Sequence, residues 1–429
     1  MTVPSEPSVG IGWLSVAFGL ANASIGVGVL NYPSAYDKVG GIAIAEYMQL
    51  IIVAIIMFSM FVLIYCADIS KGNTYHEVLS NICGKRAEIV VAVDICLATY
   101  GICIAYLVTI GDQYDRIFMS YFGDNFCQNW YLDRRFTITV TSLFIAPLCY
   151  LKQLDFLRHT GPLGIVSMLY VVILTIYQHY ALDDVKRGTI KTSPESFSSL
   201  LSVIPVMCFG YQCNEVVIPI YASMRNRRIK NYFKAAFIAW TTLIFLYGTV
   251  GYFGYTTFGS LVLPDIIQMF NARDPFVMIG VCALIFKMAI TYPQMSFVGR
   301  GSFVGVYGIL TKQSANDLEK REKCRRFIIS SLWFASTLFF GIFAPDIGLV
   351  IEILGTLSVL NVFMFPSACL ICLVKRTDLR LSLLVKSLFV ITAIILSSVG
   401  IGALALVSYQ IYVDIGSISQ ETKTLLCSL

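Results

Sequence analysis

The sequence predicts an all-α polytopic membrane protein of eleven transmembrane helices, and three observations predict it. Of its 429 residues 57% are hydrophobic and only 13% charged, with a mean hydropathy of +0.75, which lies outside the range of soluble domains. Apolar segments of the ~20 residues that one crossing needs recur along the whole chain. Two of these segments are interrupted by glycine and polar residues in matching places, and they sit five crossings apart.

The spans are expected at 13–35, 41–66, 87–111, 135–150, 161–180, 198–222, 233–254, 275–295, 327–344, 347–374 and 383–411. They form a single transmembrane domain, 13–411, between a short tail at 1–12 and a second tail at 412–429. The longest connecting stretches, 112–134 and 296–326, are too short to fold alone. Function must therefore lie in the bundle.

Orientation follows from the basic residues, which accumulate in cytoplasmic loops. Of the 31 Lys and Arg residues, 21 follow even-numbered spans, 9 lie on the opposite side, and Lys287 is inside span eight. This predicts a cytosolic N-terminus and an extracellular or luminal C-terminal tail. The net charge of +5 gathers in short loops such as Arg225 to Lys230 and Lys320 to Arg326. These read as topogenic charge beside anionic lipid, and neither carries a nucleic-acid motif. Thirteen cysteines scatter without a metal-ligand spacing. Only Cys127 and Cys427 are clearly on the far side, which leaves one disulfide open. Met1 to Gly10 lacks the pattern of a cleaved signal, so the first span is expected to act as the insertion signal.

The interrupted spans carry the functional argument. The first breaks at Asn22-Ala23-Ser24-Ile25-Gly26-Val27-Gly28, the second at Phe209-Gly210-Tyr211-Gln212-Cys213-Asn214-Glu215. An odd spacing makes them cross in opposite directions. In hydrocarbon an unpaired amide or carbonyl costs several kcal/mol, so a break survives only where protein, water or a ligand completes its hydrogen bonds. A paired break of opposite sense points to a solute site between two inverted halves, 13–180 and 198–374, with 383–411 as an accessory helix. Gly26 and Gly28 lack Cβ and let backbone N–H groups approach a ligand, while Val29 onward should begin a half-helix with a partially positive N-terminus. An amino acid carboxylate suits that place; a packing seam of small residues is the competing reading. At the second break, Tyr211, Gln212, Asn214 and Glu215 put polar atoms on every helical face, so some should point into a cavity or stitch helices together.

Five ionisable residues lie well inside the spans, away from their ends: Glu46, Asp94, Glu215, Lys287 and Glu352. Lys287 sits ~18 Å deep at ~1.5 Å per residue, one helical turn before Thr291 and on the same face. It could compete with a cation, titrate, or form a fixed ion pair with Glu215, Glu352 or Asp94. No serine-hydrolase elbow, zinc-protease motif, phosphate loop or paired intramembrane aspartate motif occurs, so no enzymatic activity is expected.

These segments, together with Ile104-Ala105-Tyr106-Leu107, Gly111-Asp112-Gln113, Ile220 to Asn226, Gly254 to Gly259 and Thr291-Tyr292-Pro293, resemble the amino acid/auxin permease family in its sodium-coupled neutral amino acid transporter branch. The likeness spans nearly the whole chain and is strongest from Gly12 to Arg300. It implies a leucine-transporter-like fold with a five-plus-five inverted repeat, broken helices one and six and one added helix. It implies a monomeric carrier of small neutral amino acids, glutamine and asparagine foremost, in the lysosomal or plasma membrane, with sodium as co-transported ion and no other cofactor. Asn22 and Thr291 match the sodium ligands of such relatives, whose oxygens suit a hard cation. The carboxylate would meet Ser24, Ile25, Gly26, Val27 and Gly28, the α-amino group the carbonyls near Phe209 and Gly210, and a side-chain amide Gln212 and Asn214. Two departures bear on coupling: Asn214 stands where the family usually has His, and Lys287 beside Thr291 could replace sodium. Lys287 and Glu215 are thus coupling candidates. Proton-coupled export and an amino acid receptor without flux remain as alternatives.

Overall fold

The computed structural model describes residues 10–123, 129–151, 161–182, 187–311, 322–343, 347–376 and 382–421. Cys127, Cys427, His159 and the two ends, 1–9 and 422–429, lie outside the described residues, so the disulfide expectation falls outside them too. The first span is split into α1 (Trp13–Ser24), a 3-10 turn (Val27–Asn31) and α2 (Tyr32–Val39), with a 56° bend between its parts. There follow α3 (Ile42–Ser70), α4 (Tyr75–Cys83), α5 (Lys85–Phe122), α6 (Arg134–Cys149) and α7 (Gly161–Ala181). The sixth span is again divided, into α8 (Phe197–Tyr211) and α9 (Asn214–Ala222). The chain continues through α10 (Ile229–Phe258), α11 (Pro275–Thr311), α12 (Glu322–Phe343), α13 (Ile347–Val359), a π-helical turn (Leu360–Met364), α14 (Phe365–Lys375) and α15 (Leu383–Glu421). Among the described residues no strand occurs, only an isolated bridge between Ile11 and Met224.

Among the described residues the expected count of eleven is not confirmed. Among the described residues nine helical segments are long and apolar enough to cross a membrane, or ten when the bent first pair is taken as one. The shortfall is α6: it occupies the expected place but has 16 residues, ~24 Å at ~1.5 Å per residue, short of the ~30 Å hydrocarbon core. Its C-terminal carbonyls are held by Arg300 of α11, which donates to Cys149 O at 2.9 Å and to Leu151 O at 3.2 Å. The short helix α4 was not foreseen. Thr74 caps it, accepting from the Glu77 amide at 3.3 Å, while Glu77 accepts from the Asn73 amide at 2.9 Å.

Helices α5 and α11 form the most extensive contact of the bundle. The α13–α8, α1–α10 and α2–α10 contacts then enclose the broken segments. At the centre lie Tyr32, Tyr36, Tyr211, Tyr247 and Trp240, all fully buried.

Candidate functional site

Both breaks form where the sequence placed them. Helix α1 ends with Ile25 N–H donating to Ala21 O at 2.9 Å; Ile25 and Gly26 are then extended (φ −70, ψ 101 and φ −136, ψ −159). The chain does not resume as an α-helix at Val29, as expected. It makes the 3-10 turn Val27–Asn31 first and becomes α-helical at Tyr32, where Pro33 sits in the first turn and its missing N–H removes no helical bond. In the second span, α8 ends with Gln212 N–H donating to Cys208 O at 2.9 Å; Gln212 is extended and Cys213 lies outside the helical region, and α9 begins at Asn214.

The two breaks meet. A Cβ on Gly28 would lie 2.9 Å from Gly210 Cα, so only glycine lets the two backbones approach this closely. A Cβ on Gly26 would meet nothing within 4 Å: that position faces open space. The Ser24 hydroxyl lies 3.5 Å from Tyr211 O across the gap. Between the breaks sits Tyr247 of α10, whose hydroxyl lies 2.9 Å from Ser24 O and 2.8 Å from Gly210 O, with the Gly26 amide facing the same oxygen. Its ring stacks on Tyr32 (4.7 Å between centroids) and meets Tyr211 edge-on (4.9 Å). The expected carboxylate and amino contacts, Ser24 to Gly28 and Phe209 to Gly210, are therefore neighbours; Phe209 also lies against Gly28.

The other candidates distribute differently. Gln212 donates to Glu215 at 3.1 Å, and both are half-buried. Asn214 is fully buried and turns away to α13 and α14, donating to Asn361 O at 2.7 Å from within the π-helical turn. Asn361 donates in turn to Asp94 of α5 at 2.5 Å. Asn22 is half-buried, and among the described residues its side chain bonds neither Thr291 nor another partner. The Thr291 hydroxyl donates to Lys287 O at 2.8 Å, which leaves its oxygen lone pairs available.

The ion-pair reading of Lys287 is overturned. Glu352 is paired with Lys38 at 2.5 Å, Asp94 is held by Asn361, and Glu215 by Gln212. Lys287 is 4% exposed and makes no ion pair among the described residues. Its side chain lies along α7, with Nζ 3.3 Å from where a Cβ of Gly164 would stand. The three carboxylates come from other helices, so no sequence spacing could have told which cation each would meet.

Both ends of the site are covered. At the α2 end, Lys38 pairs with Glu352, and Lys191 pairs with Asp37 at 3.1 Å and with Glu195 at 3.0 Å. Gly40 and Gly41, with φ of 99° and 121°, let the 191–194 backbone pass over the helix end. At the α1 end, the Ile11 amide donates to Ser223 O and the Arg225 amide to Ile11 O, both at 3.0 Å. A groove of about 420 Å³ opens beside that bridge, between Ile11 to Trp13 and Met224 to Asn226, away from the breaks.

Sequence reasoning missed Tyr247, Asn361 and the stacked Tyr32. The signal available was the rule that an intramembrane hydroxyl or amide needs a partner, which would have singled out a tyrosine well inside span seven.

Comparison with known proteins fits this arrangement. The family model for transmembrane amino acid transporter protein matches residues 9–412. Sodium-coupled neutral amino acid transporter 7 of Homo sapiens is 33% identical over 362 residues, 83% of this chain and 78% of that one. The Danio rerio protein of the same name is 32% identical over 363 residues, 83% and 78% of the two chains. Solute carrier family 38 member 8 of Homo sapiens is 28% identical over 382 residues, 86% and 87% of the two. Among solved structures, MhsT in complex with L-phenylalanine superposes with a TM-score of 0.50 at 13% identity, over 90% of this chain and 98% of that chain. That likeness shows a shared leucine-transporter-like fold. The multi-span helical bundle with two broken helices and the family match over most of its length carry one conclusion: the chain is a membrane transporter rather than an enzyme and belongs to the transmembrane amino acid transporter protein family.

Proposed function

We propose that this chain is a secondary active carrier of small neutral amino acids, glutamine and asparagine foremost, coupled to sodium. One observation carries the reading: peptide groups that lose their helical partners at the two breaks, Ser24 O, Gly210 O and the Gly26 amide, converge on the buried Tyr247 hydroxyl beside open space at Gly26. A zwitterion needs both acceptors for its ammonium and donors for its carboxylate, and this point offers both. The carboxylate meets the N–H groups from Ser24 to Gly28, and the ammonium meets the carbonyls near Phe209 and Gly210. Gln212 lies at the rim of this space; Asn214, turned toward Asn361, acts on the amide end through the position of α9. Spans one, two, six and seven rock against the rest of the bundle around this point, 383–411 is accessory to the two repeats 13–180 and 198–374, and the N-terminus is cytosolic. The relatives' names support sodium coupling and a neutral amino acid; the lysosomal or plasma membrane and a monomeric state rest on resemblance.

Sodium would use Asn22 and Thr291, whose amide and hydroxyl oxygens are free to accept. A second reading, proton coupling, is favoured by one observation: Lys287 carries a buried amine beside Thr291 with no carboxylate partner among the described residues. Uptake of labelled glutamine into reconstituted vesicles, with sodium and pH gradients imposed separately, tests both. Sodium-driven uptake that survives Lys287→Met supports the first reading. Uptake that follows only a pH gradient, and loses it in Lys287→Met, replaces sodium with the proton. Binding of glutamine without any flux refutes the carrier reading in favour of a receptor.

A further inference from the structure

We infer that the Tyr247 hydroxyl is a built-in substitute for the solute's ammonium group: it bonds the carbonyls of both helix breaks when no solute does, and so allows the carrier to reorient without cargo. The inference rests on the proposed carrier function and adds to it a residue on a third helix.

The geometry is specific. Tyr247 belongs to α10, not to either broken span, yet its oxygen stands 2.9 Å from Ser24 O and 2.8 Å from Gly210 O. A phenol has one O–H to donate, so the two carbonyls share a single proton, while the Gly26 amide faces the hydroxyl oxygen. That is a reduced version of what an α-amino acid brings: an ammonium carries three N–H donors and a full charge, and charge-assisted bonds are roughly twice as strong as neutral ones. An ammonium arriving from the open side at Gly26 would therefore displace the phenol from the carbonyls. The ring is held independently, stacked on Tyr32 and edge-on to Tyr211. Loss of the bond to the carbonyls thus moves the hydroxyl without unseating the side chain.

The consequence concerns the half of the cycle that carries nothing. Buried carbonyls without a donor are costly in a water-free interior. A carrier whose only donors came with the solute would close readily when loaded and poorly when unloaded, and would behave as an exchanger. With Tyr247 the unloaded closed form has its donor, and net transport becomes possible. The same competition sets a substrate class: α-amino acids with N–H donors displace the phenol, whereas quaternary ammonium analogues such as N,N,N-trimethylglycine, which bring charge but no donor, do not.

The test compares two fluxes in one preparation. Vesicles reconstituted with wild-type protein or Tyr247→Phe are assayed for net uptake of labelled glutamine into glutamine-free vesicles and for exchange into glutamine-loaded vesicles. The expected result is a fall of about tenfold in net uptake, the scale of one lost buried hydrogen bond, with exchange held within about twofold. An equal fall of both fluxes, or no fall in either, overturns the inference while leaving the carrier function standing. Wild-type protein that neither exchanges nor accumulates any neutral amino acid overturns both. Should Y247F fail to fold, 4-aminophenylalanine at position 247 keeps a donor and 4-methoxyphenylalanine does not; net uptake retained only with the amino form supports the role, and equal uptake by the two refutes it.

Discussion

Two glycines two positions apart, Gly26 and Gly28, give opposite predictions for the same substitution. At Gly28 an added methyl would stand 2.9 Å from Gly210 Cα, a backbone atom, where carbon atoms prefer about 3.5–4.0 Å. The two broken spans would have to part by more than about half an ångström, and forced overpacking of this kind costs about 1–3 kcal/mol. At Gly26 the added methyl meets nothing within 4 Å, and the backbone there (φ −136) suits any residue. Gly26→Ala should therefore leave the thermal midpoint of the purified protein unchanged, while Gly28→Ala lowers it. Transport reverses the order of surprise. The open space at Gly26 is where the solute is proposed to lie, so G26A should lose about tenfold or more in uptake at unchanged stability, from about 1.4 kcal/mol of lost contact. The assay is parallel thermal unfolding in detergent and glutamine uptake in vesicles. Wild-type uptake by G26A would refute the reasoning, as would a stability loss in G26A equal to that in G28A.

Two further predictions concern the α2 end. Burial pushes the Asp265 carboxyl up to about 7, with Asp112 nearby adding to the rise and the Ile267 amide, Gln113 and Arg116 opposing it. Because the folded form holds its proton more tightly than the usual carboxylate range near 3.9, stability should be greatest at low pH and fall as pH rises through about 7. Thermal midpoints measured from about pH 5 to about pH 8 should show that loss, and Asp265→Asn should flatten it; an unchanged slope would refute it. Lys38 and Glu352 join α2 to α13 at 2.5 Å, with side chains 35% and 9% exposed. A double-mutant cycle of Lys38→Met and Glu352→Gln on thermal stability should give a coupling of at most about 1 kcal/mol, since the partly exposed lysine is screened by solvent. Additive effects would show that the pair contributes nothing.

What the sequence revealed about this fold was whatever depends on local pattern. Asn22 to Gly28 and Phe209 to Glu215 interrupt apolar runs, and helices cannot stay whole there without exposing polar atoms to lipid; both breaks were legible, within a residue or two. The start of the second half-helix was not, because a 3-10 turn from Val27 and an α-helix from Val29 satisfy the same composition. The capping pair Thr74 and Glu77 was present in the sequence as a readable signature of α4, hidden inside a connection assumed to be a loop. Partners from other helices were beyond reach. Nothing near Lys287 forecasts that Glu352 pairs with Lys38, and Tyr247 is one of 24 tyrosines until the fold brings it to Ser24, 223 positions away.

The bridge between Ile11 and Met224 has a consequence for how this protein tolerates variation. Its two links run between main-chain atoms, so the clasp that fastens the two split helices together at that end reads no side-chain identity. Substitutions at Ile11 or Arg225 other than proline, which would remove a donating N–H, leave it intact. Its one sensitive point is Gly10, where a Cβ would collide with the Arg225 backbone at 2.5 Å. Evolution is thus free to vary the charge and bulk around this latch, provided a single residue stays bare.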